Sequence, residues 1–157
     1  KRKGVKVIFQ NQEDRKLFLQ HSVVNEEQIE FIKGSGVDLN VFKYVPEPTH
    51  AILQSNNETI KVVFTARMVK EKGVIELTEA AERLRKEYEG RVEFWLCGRL
   101  AGNADALSKE VLESRCNGKY IKWLDFQEDI KSILEQCHIM VFPSYYREGV
   151  PKSLIDA

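Results

Sequence analysis

Short apolar runs alternate with longer amphipathic stretches along this chain, and that alternation predicts its elements. Val5–Phe9 (VKVIF) is a β-rich run suited to a buried strand. Asn11, then Glu13 and Asp14, lead into a helical stretch whose apolar positions are Leu17 and Phe18. The next strand, QIEFI, runs into KGSGVD, where Gly34 and Gly36 supply the freedom for a tight turn. Tyr44–Lys61 carries two prolines and a polar Ser-Asn-Asn-Glu tract, which makes it the best linker or boundary candidate.

Beyond it the pattern becomes regular. Lys61–Ala66 (KVVFTA) reads as a strand and Val74–Tyr88 as a helix, with Leu77, Ala81, Leu84 and Tyr88 on one stripe and Gly90 just past its end. Glu79 with Arg83, and Glu82 with Lys86, are four-apart pairs on its wet face. VEFWLCG is a buried strand, and Ala104–Cys116 is expected to be a helix. YIKWLDF (strand), EDIKSILEQC (short helix) and HIMVFPS (strand) precede the closing YYREGVPKSLIDA. Strands alternating with helices predict an α/β fold: a Rossmann-like, doubly wound, mostly parallel sheet covered on both faces.

Composition narrows the class. In 157 residues, 24 basic side chains balance 24 acidic ones, so no global field points to nucleic acid or an anionic membrane. No apolar run approaches the length of a bilayer span, and KRKGVKVIF is too short and too charged for a signal peptide. Cys97, Cys116 and Cys137 form no Cys-x-x-Cys pair and read as buried or half-buried thiols in a reducing compartment. His21, His50 and His138 are equally scattered, so no metal set is expected. Trp95 and Trp123, inside apparent strands, read as core; Tyr145, Tyr146 and Arg147 stay open between packing, surface charge and ligand contact.

In a doubly wound sheet ligands bind beyond the carboxyl ends of the strands. There lie Arg67, Lys70, Lys72 and Gly73 after KVVFTA; Gly98 and Arg99 after VEFWLC; Asp125 and Phe126 after YIKWL; and Pro143, Ser144 and Glu148 after HIMVF. Two cations, glycines and a carboxylate along one edge suit an anion attached to a polyol. Arg67 offers a planar fork for phosphate oxygens, Lys72 a mobile point charge, and Gly73 opens a helix whose free N–H groups attract anions. Ordinary surface charge is the competing reading of both cations. No phosphate-loop motif is present, since NGKY at 117–120 lacks the first glycine and the hydroxyl residue, and no Gly-x-Gly-x-x-Gly opens a helix. Asp-x-Asp is absent, so a diphosphate bound here is expected to be neutralised by Arg and Lys, with no metal or other cofactor.

FTARMVKEKGVIELTEAAERL, FWLCG and VFPSYYREGVPKSLIDA resemble the second domain of the retaining GT-B glycosyltransferases of family four. VIFQNQEDRKLF and IKGSGVDLNVF resemble the hinge region before it, and the wording is most similar to bacterial enzymes of lipid-linked oligosaccharide, capsule and O-antigen synthesis. The resemblance runs from Val5 to Ala157. It implies half of a GT-B enzyme: residues 1–25 as the end of the N-terminal acceptor domain, and 26–157 as the first part of the nucleotide-sugar domain, truncated at its C-terminus.

The resemblance also implies roles. Arg67 and Lys72 match the pair that holds the donor's diphosphate, and Gly98 matches a glycine close to the nucleotide. Glu148 and Asp156 match a Glu, seven residues, Glu motif, whose first acid bonds the transferred sugar and whose second grips the ribose. Gly149, Val150, Lys152 and Ser153 surround that first acid, with the backbone N–H groups of Lys152 and Ser153 facing sugar and phosphate. Glu148, Arg67 and Lys72 are thereby the catalytic candidates. Asp156 departs from the usual Glu, with a reach shorter by about 1.5 Å, one carbon–carbon bond.

The implied function is transfer of a sugar from a nucleotide-diphosphate sugar, uridine-based by expectation, to a glycan or lipid-linked acceptor in cell-surface polysaccharide synthesis. The implied location is cytoplasmic, with peripheral association at the inner face of the membrane. The fragment by itself is expected to transfer no sugar, for want of its N-terminal domain, and to self-associate through an uncovered sheet edge. A non-catalytic nucleotide-sugar-binding module and another GT-B-type enzyme, such as a UDP-sugar epimerase, are the alternatives.

Overall fold

The computed structural model describes residues 4–44, 59–102 and 105–157. The basic start KRK, most of the Tyr44–Lys61 boundary candidate and the expected helix start at Ala104 lie outside these residues. By its packing the chain divides into two units: Lys1–Asp38 with Tyr146–Asp156, and Leu39–Tyr145 with Ala157.

In the smaller unit, β1 (Val7–Phe9) pairs in parallel with β2 (Ile29–Phe31), Val7 opposite Ile29. Helix α1 (Gln12–Gln20) connects them. Its start follows from Asn11, whose Oδ1 accepts the Asp14 N–H at 2.7 Å while its Nδ2 donates to Asp14 Oδ2 at 2.7 Å. Phe18 packs edge-on against buried Phe9, with ring centres 5.2 Å apart.

The larger unit is built on β3 (Ile60–Thr65), β4 (Val92–Cys97), β5 (Ile121–Asp125) and β6 (Ile139–Met140), all parallel, in the order β5-β4-β3-β6. The doubly wound parallel arrangement expected from the alternation is therefore present. Helices α2 (Val74–Tyr88), α3 (Lys109–Arg115) and α4 (Ile130–Leu134) follow β3, β4 and β5 in turn.

Side chains alternate along β3 and β4. Val62, Phe64, Phe94 and Leu96 form one core with Val74, Leu77 and Ala81 of α2 and with Leu112, Tyr120 and Ile121. Glu93 and Trp95, one residue out of phase with Phe94 and Leu96, meet Lys122: its ammonium reaches Glu93 Oε2 at 2.6 Å, and the Trp95 indole donates to the same oxygen at 2.8 Å. Burial pushes the Glu93 carboxyl up, but the bonds from Lys122 and Trp95 prevail and hold it below the ordinary value. Trp123 packs against this core as expected, whereas Trp95 is not among the side chains packed on it. Each is half-buried with its indole N–H bonded, Trp95 to Glu93 and Trp123 to Gly98.

Four local expectations need correction. The buried stripe of α2 is Val74, Leu77, Thr78 and Ala81, whereas Leu84 is 43% exposed. Thr78 can enter that stripe because its hydroxyl donates within the helix, 3.0 Å to the Val74 carbonyl, and accepts from Arg115 Nη1 at 3.1 Å. Glu79 meets Arg115 at 3.6 Å and Glu82 meets Arg85 at 2.6 Å, so neither acid uses its four-apart partner in the ion pairs seen. Helix α3 begins at Lys109, after the cap Ser108, because the residues before it are bonded elsewhere: Lys70 N–H to the Asp105 carbonyl at 3.1 Å, and Leu107 N–H to the Met68 carbonyl at 3.0 Å. HIMVFPS is a strand only over Ile139–Met140, and Pro143, without an N–H, offers no donor to extend the ladder.

Helix α5 (Lys152–Asp156) belongs to the smaller unit, where the Val150 N–H donates to the Lys33 carbonyl at 3.0 Å.

Candidate functional site

In the larger unit β4 and β5 lie on one side of β3 and β6 on the other, so the winding reverses between β3 and β6. That reversal splays the loops leaving the two strands, which is why ligands settle there. The loop after β6 is tied to the loop after β3 at one residue. The Glu71 carbonyl accepts from the Tyr145 N–H at 3.0 Å and from the Ser144 hydroxyl at 3.3 Å. Gly73 sits in the left-handed region (φ 79°), and a Cβ there would come within 2.4 Å of the Pro143 carbonyl oxygen, so the two loops touch backbone to backbone. Lys72 lies just before it, its ammonium 5.9 Å from the Phe142 ring centre.

Beside this crevice a cavity of about 300 Å³ opens beyond the ends of β3, β4 and β5. Arg67, Gly98, Arg99, Phe126 and Gln127 line it, with Ile130 of α4. Its floor is Gly98, whose φ of 152° and missing Cβ are both required: a Cβ would stand 1.7 Å from the Ala66 carbonyl oxygen. Gly98 is bonded on both sides, its N–H to the Asp125 carbonyl at 2.8 Å and its carbonyl to the Trp123 indole at 2.9 Å. The Met68 N–H donates to the Arg99 carbonyl at 3.0 Å, which zips the Arg67 and Arg99 loops together. Arg99 lies over Phe126, 4.1 Å from its ring centre.

Glu148, Gly149, Val150 and Lys152 fall in the smaller unit. With Gln10, Asn11, Asp14, Ser35, Arg147 and the apolar Phe9 and Phe18 they surround a cavity of about 650 Å³ at the carboxyl end of β1. Gly149 is pressed against β1's exit, since a Cβ on it would approach Gln10 Cβ to 2.7 Å. Ser153 and Asp156 lie on α5 and are not among the lining residues. The Asp156 carboxylate is occupied by Lys152, whose ammonium reaches its two oxygens at 2.5 and 2.7 Å, and its side chain is only 11% exposed. Glu148 lies before Pro151, outside the helix, so helical periodicity does not place the two acids on one face.

The structure thus gathers Arg67 and Gly98 around one cavity and Glu148, Gly149, Val150 and Lys152 around another, with Lys72 by the β3–β6 crevice. Two lining groups escape motif reading. Arg99 and Phe126 carry no motif, although Phe126 directly follows β5 and Arg99 is the second residue past β4. Asn11 and Asp14 read as a helix start, and only the packing of residues 147–152 turns them, with Gln10, into a cavity wall.

Other candidate chemistry is muted. Burial pushes the thiols up, Cys97 to about 12 and Cys116 and Cys137 to about 11, so none is a thiolate near neutrality. No group of three His, Cys, Asp or Glu side chains among the described residues is placed to hold a metal ion.

Residues 46–157 match the family model described as "Glycosyl transferases group 1". A curated relative from Campylobacter jejuni, N,N'-diacetylbacillosaminyl-diphospho-undecaprenol alpha-1,3-N-acetylgalactosaminyltransferase, is 31% identical over 155 residues, which is 96% of this chain and 39% of the relative. Among solved structures, Anabaena HepE in complex with UDP and glucose superposes with a TM-score of 0.71 at 22% identity, over 96% of this chain and 41% of its own. A glycosyltransferase from Rickettsia africae gives 0.69 at 20% identity, over 98% of this chain and 42% of its own. The chain therefore spans about two fifths of the length of these relatives. The structural likenesses establish the GT-B fold; the family match covers most of the chain, and this chain belongs to the group 1 glycosyl transferases.

Proposed function

We propose that the protein containing this chain transfers a sugar from a nucleotide-diphosphate sugar to a glycan or lipid-linked acceptor, with this chain supplying the donor side. The observation that carries the reading is the cavity beyond β3, β4 and β5, with Arg67 at its wall and Gly98 as its floor, in a member of this family. A nucleoside fits a cavity of this size, and its diphosphate extends past Arg67 toward Lys72. The uridine preference is supported by HepE, whose structure holds UDP, and the lipid-linked acceptor by the diphospho-undecaprenol in the name of the Campylobacter relative.

Cleavage of a sugar–phosphate bond leaves negative charge on the departing diphosphate and positive charge on the sugar. Arg67, a planar fork, and Lys72, a mobile point charge, stabilise the first without a metal. A carboxylate such as that of Glu148, the sugar-facing acid of the family motif, suits the second, with Gly149 and Val150 shaping its loop. The N–H groups of Lys152 and Ser153 supplement these contacts, and Asp156 gives a weaker ribose contact because Lys152 already holds it. In this reading residues 1–25 end the acceptor domain and 26–157 begin the donor domain, so the chain alone turns over no donor.

The protein acts at the inner face of the cytoplasmic membrane, where lipid-linked acceptors are presented. No helix among the described residues is long and apolar enough to cross a membrane. The test is calorimetric titration with UDP and with a UDP-sugar, in EDTA. Binding is expected, and Arg67→Ala and Lys72→Ala each weaken it at least about tenfold. Indifference to both substitutions overturns the diphosphate assignment, and a strict requirement for a divalent ion overturns the metal-free one.

A further inference from the structure

The cavity of the larger unit holds a cation–aromatic pair that no motif explains. Arg99 leaves β4 and Phe126 leaves β5, and the guanidinium carbon stands 4.1 Å from the ring centre, closer than Lys61 to Trp95 at 4.6 Å. Both side chains line the cavity. Phe126 is 52% exposed, so it is not spent on the core.

The backbone goes to some trouble to present it. Asp125 adopts φ 55°, a left-handed conformation that non-glycine residues rarely take, and its Oδ1 accepts the Phe126 N–H at 2.8 Å. The β4–β5 register also slips between Leu96 and Cys97, which opposes Trp123 and then Asp125 and leaves Leu124 as the extra residue. Bulge and left-handed turn together swing the chain after β5 toward the chain after β4. On the Arg99 side the backbone is pinned by its carbonyl's bond to the Met68 N–H.

We propose that Arg99, held over Phe126, is the residue that stacks on the nucleobase of the donor and sets how tightly a nucleotide binds relative to bare phosphate. The inference rests on the reading that this cavity takes a nucleoside diphosphate. A guanidinium is planar and weakly hydrated, and one face against Phe126 leaves the other for a second planar group. Phe126 restrains the arginine before the ligand arrives, which lowers the ordering cost of binding. The cavity of about 300 Å³ is at the small end of ligand sites, so it accepts a base and ribose but not the transferred sugar as well.

The test compares UDP with inorganic pyrophosphate by calorimetry on the purified protein and on Arg99→Ala, Arg99→Lys and Phe126→Leu. Arg99→Ala is expected to weaken UDP about tenfold and to change pyrophosphate less than about twofold, as loss of a stacking contact does. Arg99→Lys is expected to behave like Arg99→Ala, because an ammonium keeps the charge but has no planar face. Phe126→Leu lowers UDP affinity in the same direction by a smaller factor. Equal losses for UDP and pyrophosphate, or full affinity in Arg99→Lys, overturn the proposal by showing that Arg99 acts as a charge on phosphate. Normal UDP binding in Arg99→Ala overturns it alone and leaves the donor-site reading standing. Failure of the parent protein to bind UDP at all overturns both.

Discussion

The indole N–H of Trp123 donates to the carbonyl oxygen of Gly98 across 2.9 Å, joining the middle of β5 to the first residue past β4. The bond holds the floor of the cavity beyond β3, β4 and β5 against the strand behind it, and Gly98 has no freedom on its other side, where the Ala66 carbonyl occupies the space of a Cβ.

Gly98→Ala is therefore expected to cost at least about 3 kcal/mol, because backbone rather than a flexible side chain must move. Trp123→Phe, which removes the donor and part of the packing, should cost about 1–2 kcal/mol. Urea unfolding monitored by circular dichroism measures both. A Gly98→Ala midpoint equal to the parent's would show that the loop relaxes freely.

The rotated stripe on α2 separates two leucines that look alike in sequence. Leu77→Ala should cost about 2–5 kcal/mol, the usual range for a sealed core leucine. Leu84→Ala, at a position 43% exposed, should cost less than about 1 kcal/mol. Equal losses in thermal unfolding would contradict the packing.

The thiols make stability depend on alkaline pH. Burial raises Cys97 to about 12, with the neighbouring Cys137 adding to the shift, and raises Cys116 and Cys137 to about 11. The folded state thus holds protons that the unfolded chain releases near its ordinary thiol value of about 8.5. The stabilising contribution is complete below that value and is lost as pH rises through about 11 to 12. Urea midpoints should fall across that window, and Cys97→Ala should flatten part of the decline. In the native protein at neutral pH a thiol-reactive dye should label slowly, with all three cysteines reacting once the chain is unfolded.

The two acids of the closing segment should separate in kinetics. In the whole protein, Glu148→Gln is expected to lower turnover by about a hundredfold or more, as removal of an electrostatic stabiliser does. Asp156→Asn should act mainly on donor KM, by less than about tenfold, because Lys152 already holds its carboxylate. Equal losses in kcat would mean that the Lys152 pair opens on binding.

Much of this was legible in the residues. Helix α2 falls on Val74–Tyr88 as its periodicity predicts, since eleven of its fifteen residues are Ala, Leu, Glu, Lys or Arg and none is Gly or Pro. Asn11 caps α1 as its position before Glu13 and Asp14 suggests. Less legible was where elements end. Helix α3 starts late because residues 105–107 bond to 68–70, and β6 is short where Pro143 gives no donor. Such partners are distant in sequence and leave no periodic trace.

What the chain's own pattern determined is the alternation of strand and helix, hence the parallel winding, together with the cations and glycines that follow the strands. Hydrophobic period and backbone chemistry are local, so a linear reading captures them. Tertiary structure alone decided which of those strand-end residues share a wall: Arg67 and Gly98 with Arg99 and Phe126, and Glu148 with Asn11 and Asp14. It also decided that Asp156 is already held by Lys152. Distances across a cavity depend on register, on a bulge at Leu124 and on a left-handed turn at Asp125, and each of these is set by how strands meet rather than by the order of residues along one of them.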